Sequence, residues 1–260
     1  MKPIVKQAEP AALTQFRQIY PEANWEGLRQ ANPPVYPHLK AQLRQDQGGL
    51  CAYCEIDLKP KKSPQEVDDF RIEHFHPKSD IHGHWTLNWS NMLGVCHGGS
   101  QRRVTESGQR FTENKRDHSC DVPKGAKALD DIILNPLNIP KTPALFHFDR
   151  AMGSMRVDQK ACAQTGISAE KAQATIDHLH LNSSRLLRMR QQVLDHLNEQ
   201  LMTLMDDGLT LQQARDRLAL AYLSKNHEGL WPVAFFSAIR HYLGQSAESQ
   251  LTKENSAPSS

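Results

Sequence analysis

Five short segments decide how the chain is read. They are Cys51-Ala52-Tyr53-Cys54-Glu55, Glu73-His74-Phe75-His76-Pro77-Lys78, Trp89-Ser90-Asn91, Cys96-His97-Gly98-Gly99 and Cys120-Asp121-Val122-Pro123-Lys124-Gly125. Together they hold four of the five cysteines. The Cys51-x-x-Cys54 spacing lets two thiolates turn toward one tetrahedral ion. Alone, such a pair is equally a pair of small core residues, since free cysteine is often buried. Cys96 and Cys120 weigh against that reading. Four thiolates close a tetrahedral shell and leave no open position, so a structural Zn²⁺ held by Cys51, Cys54, Cys96 and Cys120 is expected. His97 and His118, each beside a cysteine, are fallback ligands. Cys162 is a lone thiol, buried or partly exposed.

Composition sets the background. The chain has 260 residues, 38% of them hydrophobic and 23% charged, with 31 basic and 29 acidic side chains and a net charge of +2. That balance permits a local basic patch without proving nucleic-acid binding. No apolar run resembles a signal peptide or reaches membrane-spanning length, so a soluble cytoplasmic protein is the expectation. Clustered cysteines without an export signal point to metal ligation over disulfides. No G-x-x-x-x-G-K-[ST] loop is present, so ATP hydrolysis by this chain is not expected.

Around the cysteine stretch the pattern is mostly helical. Leu13, Phe16, Trp25 and Leu28 suggest two short helices broken at Pro21. Residues 32–37 read as extended or turn-like, and a helix from His38 to Gln47 ends at Gly48-Gly49. Phe70 to His76 reads as a short strand. Glu73 and His74 then point to opposite faces, unless the strand ends at Glu73 and a turn brings them together. Residues 97–119 form a loop-like insertion with a modest excess of positive charge. A short helix starts at Asp121, weakened by Gly125. Ala144–Asp158 carries a hairpin pattern turning at Arg150–Gly153. From Ser168 an apolar face of period near 3.6 breaks at Asn182-Ser183-Ser184, and Thr210 to Gln213 forms a capping box. A last helix is expected from Trp231-Pro232. The basic triplet Arg185, Arg188, Arg190 reads as a solvated face. The divisions expected are 1–48, an N-terminal helical segment; 49–135, the metal-bearing core; 136–165, linker and hairpin; 166–245, a C-terminal helical region; and 246–260, a polar tail without structure.

The order Cys-x-x-Cys, Glu-His-x-x-Pro, Trp-x-x-Asn, Cys resembles the HNH endonuclease superfamily. The fuller strings Cys51-x-Tyr53-Cys54-Glu55, Ile72-Glu73-His74-Phe75-x-Pro77-Lys78-Ser79, Trp89 to Gly99 and Cys120-Asp121-x-x-Lys124-Gly125 are similar to the PtuB nuclease subunits of Septu-type anti-phage defence, which also serve as effectors in some retrons. The resemblance covers residues 51–125. It implies an α+β, mainly α fold in which a zinc-stabilised ββα-metal core is embedded in N- and C-terminal helices. It also implies a metal-dependent endonuclease working with a PtuA-like ATPase, and in retrons with a reverse transcriptase and its nucleic acid.

The residue chemistry agrees with that implication. His74 can take a proton from water near neutral pH. Glu73 is a hard oxygen ligand suited to Mg²⁺ or Mn²⁺. Asn91 is expected to accept the second imidazole N–H and so hold the His74 tautomer. The resemblance places a further metal ligand at Asp121, where the family usually has His or Asn. Lys124 is expected to contact phosphate, and Lys78, Arg102 and Arg103 to contact nucleic acid. DNA is the favoured target. RNA or tRNA cleavage, and a catalytically inactive zinc-stabilised assembly module, stay open as alternatives.

Overall fold

A layer of three helices precedes the cysteine stretch: α1 (Ala11–Ile19), α2 (Trp25–Ala31) and α3 (Val35–Asp46). The computed structural model of the chain describes residues 1–31, 34–80, 82 and 85–256. Helix α3 starts at Val35, three residues before the expected His38, with Pro37 in its first turn. Proline is tolerated there because first-turn N–H groups have no helical partner. Residues 32 and 33 of the expected extended segment lie outside the described residues. Leu13, Phe16, Trp25, Leu28, Leu39 and Leu43 are all buried, so these helices turn their apolar faces into the main core.

Gln47, fully buried at the end of α3, sets the next layer. Its amide donates to the carbonyls of Leu50 and Gly94 and accepts from the Gly94 N–H. One side chain thereby fixes the Cys51 turn against a strand more than forty residues away. That strand, β2 (Met92–Val95), pairs antiparallel with β1 (Arg71–His74), with Glu73 opposite Leu93 and His74 opposite Met92.

The 23 residues between Cys96 and Cys120 do not extend outward. Gly98 and Ser119 face each other, with the Ser119 N–H donating to Gly98 O at 2.9 Å. A Cβ on Gly98 would fall 2.1 Å from Ser119 O, so the closure needs glycine there, at φ +58°. Inside the closed loop lies α4 (Ser107–Arg110), whose Arg110 is buried. Its guanidinium pairs with Asp57 and, at 2.8 Å, with Asp69. The one-turn α5 (Asp121–Lys124) follows Cys120 and stops at Gly125, φ +57°.

The second sheet is the expected hairpin, β3 (Phe146–Phe148) with β4 (Met155–Val157). It leads into α6 (Gln159–Thr165), α7 (Ala169–His178) and the long α8 (Ser184–Asp206). The break at residues 182–184 and the Thr210/Gln213 capping box both occur as expected, the latter opening α9 (Leu211–Tyr222). Two expectations fail here. Residues 231–234 are not helical, and α10 (Phe236–Leu243) begins after Phe235 adopts a left-handed conformation. The tail expected to lack structure forms α11 (Gln245–Ser256). It is anchored by Glu248 to Arg240 at 2.6 and 2.8 Å and by buried Ala247, neither of which shows as an apolar period. Residues 257–260 lie outside the described ones.

Across the described residues the protein is therefore a mainly helical α+β structure with two small sheets. Its larger core cluster runs from α1 through the cysteine turn to α8, and a smaller one joins α8, α9, α10 and α11. Among the described residues no helix is long and apolar enough to cross a membrane.

Glu55 ties the cysteine turn to the C-terminal helices. Its buried carboxylate accepts from the Ser237 N–H at 2.8 Å and the Ser237 hydroxyl at 2.6 Å. Replacing it strands both donors inside the protein, at about 1–3 kcal/mol for each buried unsatisfied group. Glu55→Ala is expected to lose about 3 kcal/mol in urea unfolding, and Glu55→Gln clearly less.

Candidate active site and metal centre

The four cysteines converge as expected. Cys51 and Cys54 come from the turn after α3, Cys96 from the end of β2, and Cys120 from the residue before α5. Their Sγ atoms all lie within 4.8 Å of one another, and all four residues are buried. The edges Cys51–Cys120, Cys54–Cys96 and Cys96–Cys120 measure 3.8, 3.7 and 3.7 Å. A tetrahedron with Zn–S bonds of 2.3 Å has edges of about 3.8 Å, so the donor set fits zinc in both chemistry and size. Backbone N–H groups of Cys96 and Gly98 point at the sulfurs of Cys51 and Cys96, at 3.4 and 3.3 Å. Such donors stabilise thiolate charge. The fallback ligands are occupied elsewhere: His97 Nε2 bonds Asp68 O and His118 Nε2 bonds Thr112 O. Cys162 is buried in α6, apart from the cluster.

Beside this cluster, β1 and α5 exchange two ion pairs. Arg71 and Glu73, two apart on β1, share a face by the period of a strand. Asp121 and Lys124, three apart on α5, share a face of a helix. Arg71 Nη2 meets Asp121 Oδ1 at 2.7 Å, and Lys124 Nζ meets Glu73 Oε1 at 2.7 Å. Burial, followed by the nearby Asp121 charge, pushes the Glu73 carboxyl up to about 7. Burial also raises Asp121. Each carboxylate is thus held by a cation of the other element, and the Asp121 charge adds to burial in raising Glu73. Magnesium is typically held by one or two carboxylates with waters and substrate phosphate filling the other positions, and this pair suits that habit. Among the described residues the cysteines are the only group of three or more His, Cys, Asp or Glu side chains close enough to hold an ion.

Lys124 differs from its expected role. It is buried, and its ammonium is engaged by Glu73 and by the His74 carbonyl at 3.1 Å. It holds the site together from inside.

His74 is the last residue of β1, so its ring turns away from the Glu73 side. It lies edge-on to Trp25 at 4.7 Å. Its Nε2 is 2.9 Å from Thr86 O. A carbonyl can only accept, so Nε2 carries the proton and Nδ1 keeps its lone pair. Burial pushes the imidazole down to about 4, leaving it neutral and able to accept at Nδ1.

Asn91 does not do what the sequence suggested. The Thr86 carbonyl holds the His74 tautomer. Asn91 instead clips the segment after the strand, because its Oδ1 accepts from His76 N at 2.7 Å and its Nδ2 donates to the carbonyls of His76 and Trp85 at 2.9 and 3.0 Å. An amide is the side chain that can satisfy a backbone N–H and two carbonyls at once, which explains the residue type without any contact to the imidazole.

The expected nucleic-acid contacts scatter. Lys78 pairs with Glu26 at 2.6 Å, and exposed Arg102 pairs with Glu113. Arg103 is exposed, with no ion pair among the described residues. The Arg185–Arg190 triplet is not a solvated face: Arg185 and Arg190 are buried and only Arg188 is exposed. Arg185 donates to Ser119 Oγ, while Arg190 donates to Gly153 O and Leu181 O. His84, one of the histidines crowding this region of the sequence, lies outside the described residues. Arg71 and Thr86 were missed by sequence reading. The alternation Arg71-x-Glu73 on one strand was the available signal for the first; nothing local announces a backbone carbonyl.

No family model matches the chain. The candidate HNH endonuclease of retron Ec83 from Escherichia coli is 34% identical over 218 residues, covering 76% of this chain and 81% of its own. The chain belongs to the HNH endonuclease superfamily. Within that superfamily its Cys51–Lys124 stretch carries both the cysteine cluster and the Glu73/Asp121 pair.

Because the cluster joins three parts of the chain, zinc removal acts on the whole core. The purified protein is expected to hold one zinc per chain by elemental analysis. Cys96→Ser is expected to lose that zinc and to melt at least ~10 °C lower, since a structural zinc contributes several kcal/mol and about 1 kcal/mol shifts a domain of this size by roughly 2–4 °C.

Proposed function

We propose that this protein is a metal-dependent endonuclease that hydrolyses phosphodiester bonds, with DNA the favoured target. The observation that carries the reading is the pair of ion pairs, Lys124–Glu73 and Arg71–Asp121, that sets two carboxylates between β1 and α5 in a chain of the HNH superfamily, with a neutral histidine of fixed tautomer next along β1. We read β1, β2 and α5 as its ββα-metal core. Glu73 and Asp121 would hold Mg²⁺ or Mn²⁺, which supplies charge stabilisation at the scissile phosphate. His74 Nδ1 takes the proton of the attacking water. Its low basicity leaves it unprotonated at neutral pH, and Thr86 keeps the accepting nitrogen free. Lys124 and Asn91 are positioning residues: one braces Glu73 and the His74 backbone, the other braces the segment that follows.

Arg71 completes the constellation. Only its Nη2 meets Asp121, and its buried Nε has no partner. With Asp121 holding a cation, the guanidinium would keep donors to spare for a phosphate, whose oxygens favour its fork geometry.

In the wider setting, the motif strings resembling PtuB and the retron relative support an effector in anti-phage defence. A PtuA-like ATPase would supply the nucleotide hydrolysis for which this sequence has no loop, and a retron reverse transcriptase with its nucleic acid would be a further partner. Co-purification with the products of neighbouring genes tests these partners.

The catalytic test uses duplex DNA, single-stranded DNA, total RNA and tRNA with Mg²⁺ or Mn²⁺. His74→Ala is expected to lower cleavage about 10²–10⁴-fold, the usual worth of a positioned general base, with zinc content and melting temperature close to wild type. Equal cleavage before and after that substitution sinks the assignment. Preferential cleavage of tRNA would move the substrate to RNA and leave the site assignments standing.

A further inference from the structure

On the far side of the Asn91 clip lies a cavity of ≈ 550 Å³. It is formed by the segment after β1, the turn at Trp89–Asn91, the stretch around residues 134–138 and the start of α7. Its size falls within the range of small-molecule sites, roughly 300–1,000 Å³. Phe75, the residue after His74, is one wall, and Trp85 is another. The Trp85 ring is backed by His76, with centroids 4.3 Å apart. Leu134 and Ile167 add apolar surface.

Side-chain amides lead the polar lining, beside Ser90, Ser168, Asp130 and Lys171. Asn88, Asn135 and Asn138 all face the cavity. Asn88 Oδ1 accepts from Ser90 N, and Asn135 Oδ1 accepts from Leu137 N. These bonds use the carbonyl ends of two amides. The NH₂ groups make no bond to another described residue, so the cavity presents donors.

Lys171 Nζ donates to the backbone carbonyl of Asp130 at 2.8 Å, which holds the ammonium in place. The Asp130 carboxylate meets His76 Nδ1 at 2.9 Å, so the carboxylate lining the cavity is already engaged, where a divalent cation would need it free. An uncharged flat ring carrying carbonyl acceptors suits both the aromatic walls and the amide donors. Guanine, thymine and uracil bring such keto oxygens, whereas adenine brings a donor in their place.

We propose that this cavity takes one unpaired nucleobase, preferring keto-bearing bases over adenine, and so sets which nucleotide lies next to the cleaved bond. Its place beside the cleaved bond rests on the nuclease reading above; base binding itself does not. A base enters only when unstacked, so the preferred target is a single-stranded, looped or flipped nucleotide.

The test uses the full-length His74→Ala protein, so that no probe is consumed. Single-stranded hexanucleotides of T, G, C or A are titrated, and a T hexamer carrying one photoreactive 4-thiothymidine is cross-linked and mapped by mass spectrometry. Cross-links are expected at Trp85 or Phe75, with A bound about tenfold more weakly than T or G. Asn88→Ser with Asn135→Ser keeps an oxygen to cap each turn but removes the amide donors. That double variant is expected to cut the preference to less than about twofold while retaining its zinc and its phosphate-driven affinity. Cross-links confined to other segments, a preference that survives the double variant, or equal binding of all four probes each overturn the proposal. Wild-type cleavage is scored separately. Base preference without cleavage would remove the nuclease reading and leave the cavity assignment, and cleavage without base preference would do the reverse.

Discussion

The convergence of four thiols at S–S distances near 3.7 Å is the constraint on which the rest of the structure depends. It joins the turn after α3, the end of β2 and the start of α5, and a two-stranded hairpin with a one-turn helix has little hydrophobic core of its own. A zinc tetrathiolate carries two net negative charges in a buried place, and the chain surrounds it with cations. Arg71 and Arg110 both feel the Cys96 charge, and Arg190 feels that of Cys54. Arg190 has only carbonyl acceptors as hydrogen-bond partners, and burial pushes it down to about 10. A buried guanidinium so placed is costly unless negative charge lies nearby. Glu55 and the thiolates provide it, so the cluster and the long helix α8 stabilise each other across the core.

The same electrostatics explain the insertion between Cys96 and Cys120. In sequence it shows only as a loop-like segment with a modest positive excess. One of its arginines is instead turned inward: Arg110 bridges Asp57 and Asp69, and Asp69 also accepts the His97 N–H next to Cys96. Arg185 reaches the other end of the loop through Ser119. A segment clamped at Gly98–Ser119 and fastened by two buried guanidiniums acts as a brace for the cysteine cluster. Only its outer residues, Arg102 and Arg103 among them, remain at the surface.

What could be read from the sequence was what is decided locally. Cys51-x-x-Cys54, the Arg150–Gly153 turn, the break at residues 182–184 and the Thr210/Gln213 box depend on neighbours a few residues away, and each appears where the pattern places it. What escaped depends on partners far along the chain. Arg185 and Arg190 look like surface residues until α8 is packed against the cluster. Helix α11 shows only a thin apolar stripe, Ala247 and Leu251, and an ion pair to Arg240 adds to its hold. Asn91 was assigned the right neighbourhood and the wrong bond, since residue type reveals an amide's capacity but not which backbone groups it meets.

On the proposed function, the pairing of β1 with α5 has a further consequence. Without a divalent ion, Glu73 and Asp121 would repel each other in a buried space. Lys124 and Arg71 neutralise them one for one, so the site is held assembled before any cation arrives. The two cations are not equivalent. Lys124 is buried and also bonded to the His74 backbone, so it stays as a brace. Arg71 is about one-third exposed and keeps an unpartnered Nε, so it is the one free to exchange a carboxylate for a phosphate. Under that proposal the site would give up an internal ion pair when cation and phosphate arrive together, which would couple metal binding to substrate binding.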